Sequence, residues 1–236
     1  MSPRLYDLVD ATWPAASYRD VGGFTLREGR GAGNRVGSAS LTLPLDEADI
    51  DAAIAGHHAL SQPAIFQVRD GQEPLDAALA ARGMEAYDEV VILGARLEDL
   101  PQEAADLTAF AHWPPLAIMR ELFAQDGIDA ARQAVMARAK GPSCVVLGRA
   151  CDRPAGAAFV ACAQTEAMLH ALVVSPAFRR QGVARNIMAE AAFWAAQNGA
   201  ERLSLVVRTE NSAALALYNR LGMQPLCRYH YRREVL

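Results

Sequence analysis

The stretch "LHALVVSPAFRRQGVARNIMAEAAFWAAQNGA", residues 169–200, changes its period in the middle. Up to Val174 it reads as a β-strand, and Ser175-Pro176 stops it because proline cannot donate to a ladder. From Gly182 onward the apolar residues recur at helical spacing. Between the two lies a loop of arginine, glutamine and glycine. Gly182 lets the backbone come close to a ligand, and the small Ala184 keeps the helix entrance uncrowded. The free N–H groups of a first helical turn, at the positive end of the helix dipole, form an anion site. Arg179 and Arg180 add positive charge there, so the natural guest is a phosphate or pyrophosphate.

Working outward, turn residues at Asp152-Arg-Pro154 and Gln164-Thr-Glu166 divide the preceding sequence into strands over 143–150, 155–163 and 167–174. Two short helices, "PPLAIMRELFAQ" and "GIDAARQAVMARA", come before them and are separated at Asp126-Gly127. After the helix over 182–198 follow a strand at 202–208, a helix at 212–221 and a strand at 226–235. The second half is expected to run ααβββαβαβ, an α/β (α+β) arrangement with a mixed, mainly antiparallel sheet flanked by helices.

These segments carry two ordered motifs. The loop Arg179-Arg180-Gln181-Gly182-Val183-Ala184 resembles the Q/R-x-x-G-x-G/A segment of the GNAT acyltransferase superfamily. Asn211-Ser-Ala-Ala214-Leu-Ala-Leu217-Tyr218-Asn-Arg-Leu-Gly222-Met223 resembles that family's N-x-x-A-x-x-L-Y-x-x-x-G-F segment, with Met in place of the last Phe. The resemblance covers about residues 105–236. It implies acetyl-CoA, or another acyl-CoA, as acyl donor, with no metal. It implies that Arg180, Gln181, Gly182, Val183 and Ala184 wrap the pyrophosphate, with Arg179 and Arg185 adding charge. Leu172, Val173 and Val174 would lie along the pantetheine, and a backbone N–H near Val173 or Val174 would stabilise the thioester oxygen. Asn211 would contact CoA, besides being well placed as a helix N-cap. Tyr218, two helical turns further on, would protonate the departing thiolate.

The general base is less sharply marked. Many members of the family place a carboxylate on the strand before the Val-x-Pro turn, and Leu169-His170-Ala171-Leu172 has none. His170 has a suitable chemistry, and Glu166 could act through water. A satisfied half-buried strand histidine is an equally good reading of His170.

The first half contains an echo of the second. "VRDGQEPLDAALAARGM", from Val68 to Met84, aligns without a gap to "VRTENSAALALYNRLGM", from Val207 to Met223. Gln72 stands where Asn211 stands, and Leu79 where Tyr218 stands. The same register places Ser40-Leu-Thr-Leu-Pro-Leu45 against the loop, without arginine or glycine. A tandem organisation is expected, with a degenerate GNAT-like domain at 1–100 and the acyltransferase domain at 101–236. Glycine-rich "GRGAG" reads as a hairpin turn joining strands at 22–29 and 34–43. His57-His58 read as surface residues, and Trp113, before Pro114-Pro115, as a candidate wall of an acceptor cleft.

Composition bounds the rest. Over half of the 236 residues are hydrophobic, enough for a real core. The formal charge of −4, without a basic run, makes nucleic acid a poor partner. The first residues, "MSPRLYDLVDATWP", do not read as a signal peptide, and no apolar run reaches the length of a membrane span. The four cysteines form no C-x-x-C and read as reduced cytoplasmic thiols. A cytoplasmic enzyme, monomer or homodimer, is expected to acetylate a small-molecule or peptide amine. A non-catalytic acyl-CoA-binding or sensor protein is the alternative.

Overall fold

The computed structural model describes residues 3–101 and 103–235. In chain order the elements are α1 (Pro3–Thr12), β1 (Ser17–Val21), β2 (Phe24–Glu28), α2 (Asn34–Gly37), β3 (Ala39–Leu41), α3 (Ile50–Ala59), β4 (Ile65–Arg69), α4 (Glu73–Ala81) and β5 (Glu85–Arg96). They continue with β6 (Ala109–His112), α5 (Ala117–Gln125), α6 (Ala130–Met136), β7 (Ser143–Ala150), β8 (Arg153–Ala163) and β9 (Glu166–Val174). The last are α7 (Val183–Gln197), β10 (Arg202–Arg208), α8 (Ser212–Arg220) and β11 (Gln224–Arg233).

The chain forms two compact units that are discontinuous in sequence. Unit I holds the chain up to Pro14, then Ile92–Val207 and Asn211–Leu226; unit II holds Ala15–Val91, Arg208–Glu210 and the chain from Cys227. The boundary expected at residue 100 therefore falls inside unit I. Sequence order could not show this, because three of the changes of unit, at 91/92, 207/208 and 226/227, fall within the strands β5, β10 and β11 rather than in linkers.

In unit I the strand order is β5-β10-β9-β8-β7-β6. Pairings from β6 to β9 are antiparallel, whereas β9 and β10 run parallel. Helix α1 packs on β8 and β9, and so does α5, while α7 packs on β7 and β8. Helix α7 buries Val183, Ile187 and Met188 together with four alanines. Burying Ile187 and Met188 is worth about 2 kcal/mol each. Two glycines bring this helix close to the sheet. A Cβ on Gly148 would lie 2.7 Å from Ile187 and 2.9 Å from Val183, and one on Gly156 would lie 3.2 Å from Ile187. The N-terminal turn of α7 is thus seated tightly against β7 and β8.

In unit II the order is β1-β2-β3-β4-β11-β5. Its core is built on Phe24, Leu26, Phe66, Leu75 and Leu79. The tight hairpin lies at Gly22-Gly23, between β1 and β2, where both glycines have positive φ. The strands expected on either side of "GRGAG" do pair antiparallel, but the loop leads into the single turn α2, and only Ala39–Leu41 of the second expected strand pairs with β2. His57 also departs from its expected exposure. It is fully buried, with Nδ1 2.9 Å from Gln62 Nε2. Burial first, and the neighbouring His58 second, lower its pKa to about 4.

The repeated segment has one local geometry in both places. Gly83 and Gly222 take positive φ after α4 and α8. The Met84 N–H donates to the Leu79 carbonyl at 3.2 Å, and the Met223 N–H to the Tyr218 carbonyl at 3.1 Å. Both are helix C-terminal closures in which glycine supplies the left-handed residue.

Candidate functional site

The residues expected to form the site lie within unit I, where β9 leaves its parallel neighbour. Pairing of β9 with β10 runs from Glu166↔Arg202 to Leu169↔Leu205, yet β9 continues to Val174 and β10 to Arg208. Over His170–Val174 the side of β9 that faced β10 is therefore outside that ladder. A bulge sits at the parting. Between Ala157↔Val173 and Phe159↔His170, two steps along β8 are matched by three along β9. The extra residue distorts β9 where Ala171 takes φ 55. An extra residue re-aims the backbone groups that follow it, here those of Leu172, Val173 and Val174.

The expected anion loop follows directly. Arg180 and Gly182 both adopt positive φ, 63 and 82, with Gly182 as the N-cap of α7. Alternating left-handed residues of this kind turn successive N–H groups inward. The first intrahelical bond runs from the Asn186 N–H to the Gly182 carbonyl, so the amides of Val183, Ala184 and Arg185 precede the ladder. No side chain caps this helix and no acid lies in its first turn. Arg180 and Arg185 are exposed. Arg179 donates from Nε to the Val174 carbonyl at 3.1 Å and approaches Asp126 at 3.7 Å, so it braces the strand end. Gln181 donates to the Ala177 carbonyl.

The corresponding place in unit II has the opposite character. Helix α3 starts after Asp49, whose carboxylate accepts the Ala52 N–H at 2.9 Å, and Asp51 stands in its first turn. A carboxylate already occupies that helix end and would repel a phosphate.

Asn211 caps α8, accepting the Ala214 N–H at 3.1 Å. Tyr218 lies on the buried face of the same helix, 5% exposed. Its hydroxyl has no hydrogen-bond partner among the described residues, and burial raises its pKa to about 12. The phenol therefore remains protonated throughout the neutral range.

His170 is 2% exposed. Its Nε2 lies 2.9 Å from Thr12 Oγ1, and its ring lies 5.0 Å from that of Trp13 and 6.2 Å from that of Phe159. Phe159 is in turn 5.9 Å from Trp113, which is 40% exposed. An aromatic cluster thus runs from the bulge to the surface. Sequence reading had no signal for the part of α1 in it, because Thr12 and Trp13 stand about 150 residues upstream. Glu166, at the other end of β9, approaches Arg202 at 3.9 Å. It stands four positions before His170, about 13 Å along a strand, so the two candidate bases are not brought together.

Among the described residues no group of three His, Cys, Asp or Glu could hold a metal. A cavity of about 550 Å³ lies in unit II, lined in part by Asp76, Tyr87, His230 and Arg232. Its hub is Asp76, held by Arg232 at 2.6 and 2.9 Å and by His230 at 2.7 Å. The hydrogen bond from Arg232 is the main cause that lowers the pKa of Asp76 to about 2.

A splayed parallel pair, a β-bulge and an uncapped helix end beside it define the architecture of an acyl-CoA-dependent acetyltransferase, and comparison with known proteins agrees. Residues 108–223 match the acetyltransferase (GNAT) family model, and through this segment the chain belongs to the GNAT superfamily. The chain is 27% identical over 235 residues to an uncharacterized N-acetyltransferase, YobR, of Bacillus subtilis (strain 168), covering 95% of each. A GCN5-related N-acetyltransferase from Kribbella flavida has a similar structure, with a TM-score of 0.69 at 18% identity, covering 98% of this chain and 94% of that one. A tandem GNAT protein from the clavulanic acid biosynthesis pathway superposes with a TM-score of 0.57 at 13% identity, covering 99% and 88%. At these identities the two structures attest the fold. No helix among the described residues is long and apolar enough to cross a membrane.

Proposed function

We propose that the chain transfers an acetyl group from acetyl-CoA to a primary amine by direct attack in a ternary complex. The observation that carries the reading is the conjunction at the end of β9: a strand edge released from its neighbour, a bulge at Ala171 and, after left-handed Arg180 and Gly182, a helix start without a side-chain cap. The pyrophosphate would rest on the amides of Gln181 to Ala184, with Arg180 and Arg185 supplying charge. The pantetheine would extend along Leu172–Val174, and an N–H at Val173 or Val174 would meet the thioester oxygen as negative charge develops on it. Asn211, exposed at the head of α8, would reach the CoA arm.

In the reaction the amine lone pair forms the new C–N bond, the C–S bond breaks and the electron pair leaves on sulfur. Tyr218 is the proposed donor to that sulfur. Its pKa of about 12 suits hydrogen-bond stabilisation of the forming thiolate. Complete proton transfer to a thiolate of pKa about 8.5 would be uphill by several kcal/mol. An ammonium of pKa about 10 must shed a proton before attack, at about 4 kcal/mol at pH 7. His170, next to the bulge, is the proposed acceptor of that proton. Glu166 has weaker support because of its place at the far end of the strand.

The test is release of CoA thiol from acetyl-CoA in the presence of a panel of small amines, amino acids and peptides, with mass detection of the acetylated product. Turnover on an amine is expected. Saturable acetyl-CoA binding with no turnover across the panel would instead indicate a sensor.

A further inference from the structure

We infer that Thr12, contributed by the N-terminal helix, is a positioning residue of the acetyl-transfer site: it fixes the tautomer of His170 so that only Nδ1 can take a proton. The inference rests on the proposed reading of the β9 end as the transfer site. The argument is one of hydrogen counting. A threonine hydroxyl has one hydrogen. That of Thr12 is given to the Leu8 carbonyl, at 2.6 Å, within α1 itself. The 2.9 Å contact between Thr12 Oγ1 and His170 Nε2 must therefore run from the imidazole to the oxygen. His170 donates from Nε2, and a neutral imidazole carrying its hydrogen there has its basic lone pair at Nδ1.

The surroundings keep the ring in that orientation. Thr12 is fully buried and His170 nearly so, hence water does not compete for the bond. Trp13 stacks at 5.0 Å with 30° between the planes, and Phe159 lies at 6.2 Å with 31°. Rotating the imidazole to exchange its nitrogens would leave the Thr12 oxygen facing a bare Nδ1 or a carbon. Leaving a buried group unpaired is the costly half of hydrogen-bond energetics. The residue thus fixed directly precedes Ala171, whose φ of 55 marks the bulge. An N-terminal helix therefore sets the proton-accepting atom of a site nearly 160 residues away (|i−j| = 158).

Two-dimensional long-range ¹H–¹⁵N spectra of the full chain report the tautomer of each of its five histidines. The His170 signals are assigned by their loss in His170→Gln. Wild type is expected to show the Nε2–H pattern. Thr12→Val, which keeps the shape and removes the oxygen, is expected to give a mixture of tautomers. Its kcat should fall about tenfold, as for the loss of one buried hydrogen bond, with acetyl-CoA Kd within twofold. Thr12→Ser should restore both. An Nδ1–H pattern in wild type, an unchanged pattern in Thr12→Val, or a changed pattern with wild-type kcat would overturn the inference. If Thr12→Val does not fold, the wild-type spectrum and Thr12→Ser still decide. A His170→Gln variant that turns over normally, with the wild-type spectrum as expected, removes the base reading and with it the positioning role of Thr12, while the tautomer assignment stands.

Discussion

Replacing Tyr218 with phenylalanine removes one oxygen and tests whether the hydroxyl serves chemistry or packing. The side chain is 5% exposed, and the hydroxyl has no hydrogen-bond partner among the described residues. Phe keeps the ring and its burial, so no partner is orphaned and no cavity larger than a hydroxyl is left. The change in stability should stay within about 1 kcal/mol, because the usual penalty for deleting a hydrogen bond does not arise. The Asn211 cap on α8 is untouched. Catalysis should respond very differently. Loss of an acid or donor at the leaving group typically costs 10²–10⁴ in rate, about 3–5 kcal/mol. Three measurements on one pair of proteins separate the possibilities: thiol release for kcat, calorimetric titration for acetyl-CoA Kd, and thermal melting. The expected outcome is a collapsed kcat, a Kd within twofold and a melting temperature within a few degrees. A kcat within threefold of wild type would refute the assignment of the phenol to the leaving sulfur. So would a large fall in melting temperature, because the hydroxyl would then be structural.

Three further outcomes follow from the same geometry. Gly182→Glu places a carboxylate and a left-handed strain of about 1 kcal/mol at the anion cradle, where an added Cβ meets no atom within 4 Å; acetyl-CoA affinity should fall at least tenfold in a folded protein, and unchanged affinity in the titration would remove the loop from the CoA site. His57, a base whose pKa drops from 6.5 to about 4 on folding, favours the folded state fully above pH 6.5 and progressively less as pH falls toward 4; the loss, about 3 kcal/mol, should be seen in urea unfolding at stepped pH and be flattened in His57→Asn, with an identical acid limb in both refuting it. Asp76→Asn should destabilise the protein at pH 7 and abolish that part of the acid sensitivity which sets in below pH 4, since the wild-type carboxylate is held charged down to about pH 2; equal melting temperatures for variant and wild type at pH 7 would show that its partly exposed ion pair contributes nothing.

Most of the C-terminal architecture could be read from residue order because its signals are local. Strands at 143–150 and 202–208 have the bounds expected, and α5 and α6 break where Asp126-Gly127 indicated. The loop-to-helix junction at Gly182 was legible for the same reason, since Gly182 and its flanking residues are contiguous. Features that depend on distant residues were not. Nothing in the alanine at position 171 announces a bulge, because its conformation is imposed by the mismatch with β8. Strand β6 has only four residues, and α1 looks like an unremarkable leader until Thr12 meets His170. His57 has no surface signature separating it from His58; only the packing of α3 decides which of the pair faces the core. The echo between Val68 and Met84 correctly marked a shared strand–helix–glycine frame, yet that frame does not coincide with a structural boundary.

The discontinuity of the two units has a consequence for synthesis on the ribosome. Helix α1 emerges first, but its hydrogen-bond partner on β9 lies 158 residues later. Strand β4 must wait as long for β11, which pairs with it through Tyr229↔Arg69 and His230↔Val68. At about 5–20 residues per second, each gap lasts roughly 8–30 s. During that interval Leu8, Val9 and Trp13 of the N-terminal segment lack the strands on which α1 packs, and the β4 edge that pairs with β11 stays open, although its apolar face already meets Phe24, Leu26, Leu75 and Leu79. The two gaps close in order: α1 finds its seat once β8 and β9 are made, and the β4 edge is covered only when β11 follows.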